Sequence, residues 1–256
     1  MMVLDRLVGP TILMYHSIAD GTDDPFAVTA GAFREQLSWL AAHGFAVVPL
    51  SFLLQSIQTR EYGGLHKKVV ITFDDGYRDF VTHALPVLLD FGFPATVFLV
   101  TAMLGEKAAW NAPSEQAPLM SADEARYIKS RGVSLGSHTA THARLTLLDQ
   151  EAVRRQLEDS RDALTRLGED FHAFAYPWGQ SSKQIEEAVK ESGYACALSV
   201  GGQMRLKAAD IYLLPRLTMR GDMSLGRFGS ALKRTSLETE IRRNCRAVLN
   251  KVSSAR

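Results

Sequence analysis

Short apolar runs alternate with longer segments of helical periodicity along most of this 256-residue chain. The run at 11–15 predicts a strand, and the segment at 32–43 repeats apolar residues at helical spacing until Gly44 ends it. The same patterns predict further strands at 45–50, 69–73, 95–100, 133–135, 172–176, 194–199 and 212–217, and helices at 52–58, 78–91, 122–130, 148–167 and 183–192. Repeated βα units predict a parallel sheet with helices outside it, as a barrel or an open doubly wound sheet.

Polar side chains directly follow several of these strands, namely His16, Asp74, Asp75, His138 and the turn at 177–179. In a barrel the carboxyl ends of the strands converge on one rim, where active sites lie. We therefore expect an α/β fold, a distorted TIM-like (β/α) barrel forming a single domain over 1–256 with its core at about 10–220. The two prolines within 110–118 predict a long loop over the rim.

Composition excludes several classes of protein. Twenty-nine basic and 28 acidic residues nearly cancel, which gives no electrostatic basis for nucleic-acid binding. Two cysteines with no paired spacing suggest neither a disulfide framework nor a thiolate metal cage. Asp5 and Arg6 interrupt the stretch that a signal peptide would keep apolar, and no segment is long enough to span a bilayer. We expect a cytoplasmic protein.

Two short motifs carry residue types suited to metal chemistry. Asp74 and Asp75 end a buried strand, and Gly76 permits a tight turn that keeps both carboxylates near the rim. Alone, such a pair is more typical of a helix cap beside a solvated acid. His138 and His142 lie four positions apart, so a single helical turn would direct both imidazoles to one point; alone, they are more typical of surface histidines. Together with Asp75 they form a two-His, one-carboxylate set with open coordination positions, as a catalytic metal site requires.

The T-F-D-D-G at 72–76 and the H-T-A-T-H at 138–142 resemble motifs of the NodB-type polysaccharide deacetylases, carbohydrate esterase family four. The resemblance implies that Asp74 is the catalytic base and that Asp75, His138 and His142 bind a divalent metal. Zn²⁺ is the default ion for this ligand set, with Ni, Co, Mn or Fe as alternatives. The M-Y-H-S at 14–17 is similar to a strand start in the branch of the family that acts on exopolysaccharides.

A third family motif resembles the F-A-Y-P-W-G at 174–179. It implies that Tyr176, Pro177 and Trp178 contact the substrate and that a backbone N–H in this turn stabilises the oxyanion. Family members often carry an Arg two residues before the proline, where this chain has Ala175. Aromatic residues in loops usually pack in the core or in a lid, but Trp178, and less strongly Trp110, are also candidates for stacking on sugar rings.

Two departures from the family pattern lead to further hypotheses. The family's catalytic acid is a late His, yet no histidine follows His172 in this chain. Either Asp74 returns the proton that it has collected, or His16 takes the vacant place; as a strand-end residue, His16 could equally be structural. Arg216 is either a surface charge or the replacement partner of Asp74.

These observations predict a metal-dependent hydrolase that removes the N-acetyl group from an N-acetylhexosamine in a polysaccharide or lipid-linked glycan. The products would be acetate and a free amino sugar. One alternative keeps the metal site and changes the substrate, giving a deformylase of lipid-linked sugars or a hydrolase of small cyclic amides. Another is a catalytically silent glycan-binding module, which would need no base beside a metal.

The C-terminal segment is locally basic. Residues 231–256 hold seven basic side chains and two acidic ones, and apolar residues recur at helical spacing among them. We predict a basic amphipathic helix within 222–256. It would either pack on the barrel or make a peripheral contact with anionic lipid at the inner face of a membrane.

Overall fold

The computed structural model describes residues 10–111, 117–201, 204, 206 and 209–235. Eight strands occur within them: β1 (Thr11–Tyr15), β2 (Ala46–Val47), β3 (Lys68–Phe73), β4 (Thr96–Leu99), β5 (Ser134–Ser137), β6 (Ala173–Ala175), β7 (Cys196–Leu198) and β8 (Leu217–Thr218). They pair in parallel in the order β7-β6-β5-β4-β3-β1-β8, with β2 against β3. This curled parallel sheet confirms the predicted distorted α/β barrel, in the form of a half-barrel.

Seven α-helices surround the sheet in the described part of the chain: α1 (Ala30–Ala42), α2 (Leu50–Thr59), α3 (Leu85–Phe91), α4 (Ala122–Ser130), α5 (Gln150–Arg166), α6 (Lys183–Glu191) and α7 (Leu225–Thr235). Local sequence sets their starts. Ser121 and Glu124 form a reciprocal capping box at the start of α4, and the Asp149 carboxylate accepts the Ala152 N–H at the start of α5. None of the described helices is long and apolar enough to cross a membrane.

Alternating strand residues build a core on each face of the sheet. Leu13 and Ile71 belong to a cluster shared with α1 and α3. Their neighbours Ile12 and Val70 belong to a second cluster, which also takes residues from β4, β6, β7 and α2. Strands that are far apart in the sheet order can contact one cluster only if the sheet curls around it. This second cluster therefore fills the concave side of the sheet.

Two predicted strands lose most of their length in the structure, each at a proline. The strand expected at 45–50 covers only Ala46–Val47, since Pro49 is the N-cap residue of α2. The strand expected at 212–217 is wrong over most of its length. Residues 212–216 form turns and irregular backbone apart from a single bridge between Leu214 and Leu198 of β7. Pairing with β1 begins only at Leu217, after Pro215, which has no N–H to donate.

The predicted C-terminal helix is described only in part. Helix α7 occupies Leu225–Thr235, where Phe228 and Leu232 are fully buried. Residues 236–256, which carry most of the predicted basic face, lie outside the described residues.

Candidate active site

A cavity of about 670 Å³ lies where the sheet strands end, and its walls include His16, Asp74, Asp75, Trp110, His142, Tyr176 and Trp178. Backbone hydrogen bonds continue one residue beyond several strands and so fix these side chains at the rim. The Asp74 N–H donates to Tyr15 O at 2.9 Å, and the His138 N–H donates to Leu99 O at 2.8 Å. The convergence of strand ends is therefore the one expected of a barrel active site.

Asp74 forms a buried, two-pronged ion pair with Arg216. The Arg216 Nη1 and Nη2 atoms donate to the two carboxylate oxygens at 2.6 and 2.7 Å. Arg216 is only 1% exposed, and its Nε donates to Ser199 O at 3.2 Å. Burial raises the pKa of Asp74, but the charge of Arg216 and its hydrogen bonds outweigh it and leave the pKa below its ordinary value. The predicted contact is confirmed, whereas a catalytic role for Arg216 stays a prediction.

Asp75, His138 and His142 are buried, and their candidate ligand atoms all lie within 4.8 Å of one another. The Asp75 Oδ1 atom is 3.4 Å from His138 Nε2 and 3.3 Å from His142 Nε2. That oxygen has no hydrogen-bond partner within the described residues. A buried, unpartnered carboxylate oxygen facing two imidazole nitrogens fits a divalent cation well.

The tautomer and charge of His138 also suit a metal ligand. Its Nδ1–H donates to Ala175 O at 2.8 Å, which leaves the Nε2 lone pair directed toward Asp75. Burial lowers the pKa of His138 to about 4, so the ring is neutral near pH 7, as metal binding requires. Ala175, at the position where the family often has an Arg, thus supports His138 through its backbone.

The backbone of the H-T-A-T-H segment differs from the expected helical turn. Thr139 and His142 have φ angles of 66° and 59°, which lie outside the right-handed helical region. The Thr139 hydroxyl accepts the Ala143 N–H at 3.2 Å, which helps to hold this tight turn. The prediction of a single helical turn is therefore wrong, although both rings do converge on Asp75.

His16 lies at the end of β1 and lines the same cavity as Asp74 and Asp75. Its ring is half-buried and contacts Phe26 with a centroid separation of 5.0 Å. The Nδ1 atom is buried and has no hydrogen-bond partner within the part of the chain described. His16 is thus a cavity residue, and its role as an acid stays a prediction.

The three residues predicted to contact the substrate, Tyr176, Pro177 and Trp178, have different environments in the structure. Tyr176 is buried, and its hydroxyl donates to Tyr212 O at 2.9 Å. This hydroxyl therefore bonds to the protein itself and holds the ring in place. Pro177 has no N–H, so any backbone donor to an oxyanion must come from a neighbouring residue. Trp178 is 43% exposed with φ 61°, and the Arg144 guanidinium carbon lies 3.9 Å from its ring centroid. It is the member of this turn best placed to meet a substrate.

Sequence reasoning missed Asp79, which also lines the cavity. The Ser17 hydroxyl donates to Asp79 Oδ2, while Oδ1 is buried without a partner in the described structure. Burial raises the pKa of Asp79. No spacing rule singles it out, because its contact with Ser17 joins two segments far apart in sequence.

Comparison with known proteins is consistent with this geometry. Residues 63–197, just over half of the chain, match the family described as polysaccharide deacetylase. The Bacillus subtilis (strain 168) protein named "Putative polysaccharide deacetylase YxkH" is 27% identical over 87% of this chain and 75% of its own length. The poly-beta-1,6-N-acetyl-D-glucosamine N-deacetylase of Escherichia coli (strain K12) is 24% identical over 88% of this chain, but the match spans only 38% of that enzyme.

A solved structure shares the fold. The Streptococcus pyogenes deacetylase PplD, in complex with acetate, superposes with a TM-score of 0.77 at 22% identity, covering 88% of this chain and 98% of that one. At this identity the likeness establishes the fold only. Because the family match covers more than half of the chain and includes both the Asp-Asp and the His-x-x-x-His motifs, the chain belongs to the polysaccharide deacetylase family.

Proposed function

We propose that this protein is a metal-dependent hydrolase that removes the acetyl group from an N-acetylhexosamine in a polysaccharide. The observation that carries the proposal is the buried Arg216–Asp74 pair beside the candidate metal ligands Asp75, His138 and His142. The E. coli relative named as a poly-N-acetylglucosamine deacetylase supports this class of substrate. A lipid-linked sugar, a cytoplasmic location, a single domain over 1–256 and membrane contact through the basic C-terminal segment stay predictions.

The ligand set suits Zn²⁺, and Ni, Co, Mn or Fe are alternatives with the same donors. A divalent ion held by Asp75, His138 and His142 would supply Lewis-acid polarisation of the acetamide carbonyl and a lowered pKa for water. The remaining chemistry falls to this chain's own side chains. Asp74, kept ionised by Arg216, would take a proton as water attacks the amide carbon.

The C–N bond breaks only when the leaving nitrogen receives a proton. Asp74 can return the one that it collected, and its lowered pKa makes the protonated form a ready donor. His16 is the other candidate, because it lines the same cavity and its Nδ1 has no competing partner among the described residues. Trp178, exposed at the cavity wall, is the candidate platform for a sugar ring.

The test is acetate release by Zn²⁺-loaded protein from oligomers of N-acetylglucosamine, read together with product mass. Asp74→Asn should keep the metal and lose roughly a hundredfold or more of turnover, because it removes the proton acceptor while keeping the shape. Since it also leaves the buried Arg216 charge without its partner, turnover is compared only for protein shown to be folded by circular dichroism. Asp159→Asn, at an exposed position of α5 away from the cavity wall, is the control. Activity of Asp74→Asn close to wild type would show that another group is the base.

The competing functions give different products when an N-formylated lipid-linked sugar is assayed beside the acetylated oligomers. A deformylase would release formate from an N-formylated lipid-linked sugar and leave acetylated oligomers intact. A silent binding module would retain oligomers and release neither acid. Either result would overturn the proposed activity, whatever the metal content.

A further inference from the structure

We infer that Trp110 is a positioning residue for His142. Ring stacking by Trp110 holds the plane of this imidazole, a task that a hydrogen bond usually performs for a metal-binding histidine. The inference rests on the proposed metal role of His142 and adds to it a residue outside all three family motifs.

The two histidines of the candidate metal site are held in different ways. His138 is fixed by its Nδ1–H donating to Ala175 O at 2.8 Å. In His142 the Nδ1 atom is buried and has no hydrogen-bond partner within the described residues. Metal-binding histidines almost always donate their second ring N–H, which fixes both the tautomer and the orientation. Another contact must therefore orient His142.

Trp110 provides that contact. Its indole lies parallel to the His142 ring, with centroids 4.2 Å apart and planes inclined by 20°. Trp178 meets the same imidazole edge-on, at 5.0 Å and 64°. The stacked face restrains the plane of the imidazole, and the edge contact limits its rotation, while Nε2 faces Asp75 Oδ1 at 3.3 Å.

Trp110 can restrain another ring because it is itself anchored. It packs against a small apolar cluster of Tyr77, Ala108 and Leu119. The neighbouring Asn111 side chain donates to the Tyr77 hydroxyl at 3.0 Å. Since Tyr77 follows Asp75 by two residues, the loop that carries Trp110 is tied to the turn that carries a metal ligand.

The same loop is closed at its base by backbone pairing. The Ala108 N–H donates to Ala117 O at 3.0 Å, and the Gly105 N–H donates to Met120 O at 3.0 Å. The Met120 N–H in turn donates to Gly76 O at 2.9 Å. The backbone thus places the indole over His142, and a ligand that is already oriented costs less to order when an ion binds.

The experiment measures Zn²⁺ affinity of the apo-protein by competition with a chelating dye, so it does not depend on turnover. Trp110→Leu should weaken affinity by about three- to tenfold, the range expected for loss of one stacked aromatic pair. Trp110→Phe should retain most of the affinity, because it keeps a ring face. Trp110→Met, which fills volume without a ring, should behave like the leucine variant and replaces it if that variant does not fold.

The chain offers a matched control in Trp39, which stacks on His43 with ring centroids 3.9 Å apart and planes inclined by 16°. Neither residue lines the cavity. Trp39→Leu should leave Zn²⁺ affinity unchanged. Unchanged affinity in Trp110→Leu, or an equal loss in the phenylalanine and leucine variants, would overturn the positioning role. A wild-type protein that binds no Zn²⁺ would instead overturn the proposed metal site itself.

Discussion

At the residue scale, the carboxylate of Asp74 is held by a cation from a distant part of the sequence. Arg216 reaches Asp74 across 142 positions of sequence and is fully buried with it. Removing one partner of such a pair leaves an uncompensated buried charge, which costs about 3–5 kcal/mol. Arg216 therefore contributes to the stability of the fold as well as to the proposed chemistry. Loss of activity in a variant at this position would not by itself identify a catalytic role.

His16 gives a cleaner test, because it lies on the cavity wall and its Nδ1 atom has no hydrogen-bond partner within the described residues. His16→Ala should reduce acetate release by about a hundred- to ten-thousandfold, the usual contribution of a proton donor, with metal content unchanged. The exposed His66, changed to Ala, is the control. Wild-type turnover in His16→Ala would leave Asp74 as both base and acid.

At the element scale, turns after the strands set the geometry of the site. Asp75, Thr139, His142 and Trp178 all have positive φ angles, between 59° and 71°. Non-glycine residues adopt this region only when their surroundings hold them there, at a cost of order 1–3 kcal/mol each. Such residues cluster in the three motifs, so tight turns directly after the strand ends position the side chains of the candidate site.

Gly179 is the most constrained of these turn positions. Its φ is 65°, and an added Cβ would lie 2.6 Å from Val200 Cγ2 and 2.9 Å from Val200 Cβ. Gly179→Ala should lower stability by about 1–3 kcal/mol more than Gly201→Ala, which has a similar φ of 79° and open space around its Cβ. Urea denaturation measures the difference. Equal losses would mean that Val200 yields without cost.

At the scale of the whole molecule, metal binding should be linked to folding stability. The three candidate ligands come from segments after β3 and β5, so an ion would bind the folded chain and not the separated segments. At a free Zn²⁺ concentration of 100 times Kd, stability should rise by about 2.7 kcal/mol. For a chain of this size that corresponds to a Tm increase of roughly 5–11 °C.

Thermal unfolding with Zn²⁺ and with excess chelator measures the shift, with His142→Ala as the variant expected to show none. An equal shift in wild type and His142→Ala would place the stabilising ion elsewhere. No shift in wild type at saturating Zn²⁺ would argue against binding to the folded state.

Local sequence was sufficient to predict most of the helices and strands and the motif residues. Helix α4 and strand β1 have the predicted bounds, because capping and hydrophobic periodicity are local properties of the chain. The T-F-D-D-G and H-T-A-T-H motifs identified Asp74, Asp75 and both candidate histidine ligands, and the structure brings them together. Ligand types and their order along βα units thus carry enough information to locate the site.

The contacts that hold those side chains, in contrast, could not be predicted from the sequence. The stacking of Trp110 on His142 and the contact of Ser17 with Asp79 join segments whose separation follows no sequence period. The left-handed turn at Thr139 replaces a helical turn that spacing alone would equally permit. Periodicity reports local backbone and burial, whereas these contacts depend on which strands become neighbours when the sheet curls, and that is settled by packing over the whole chain.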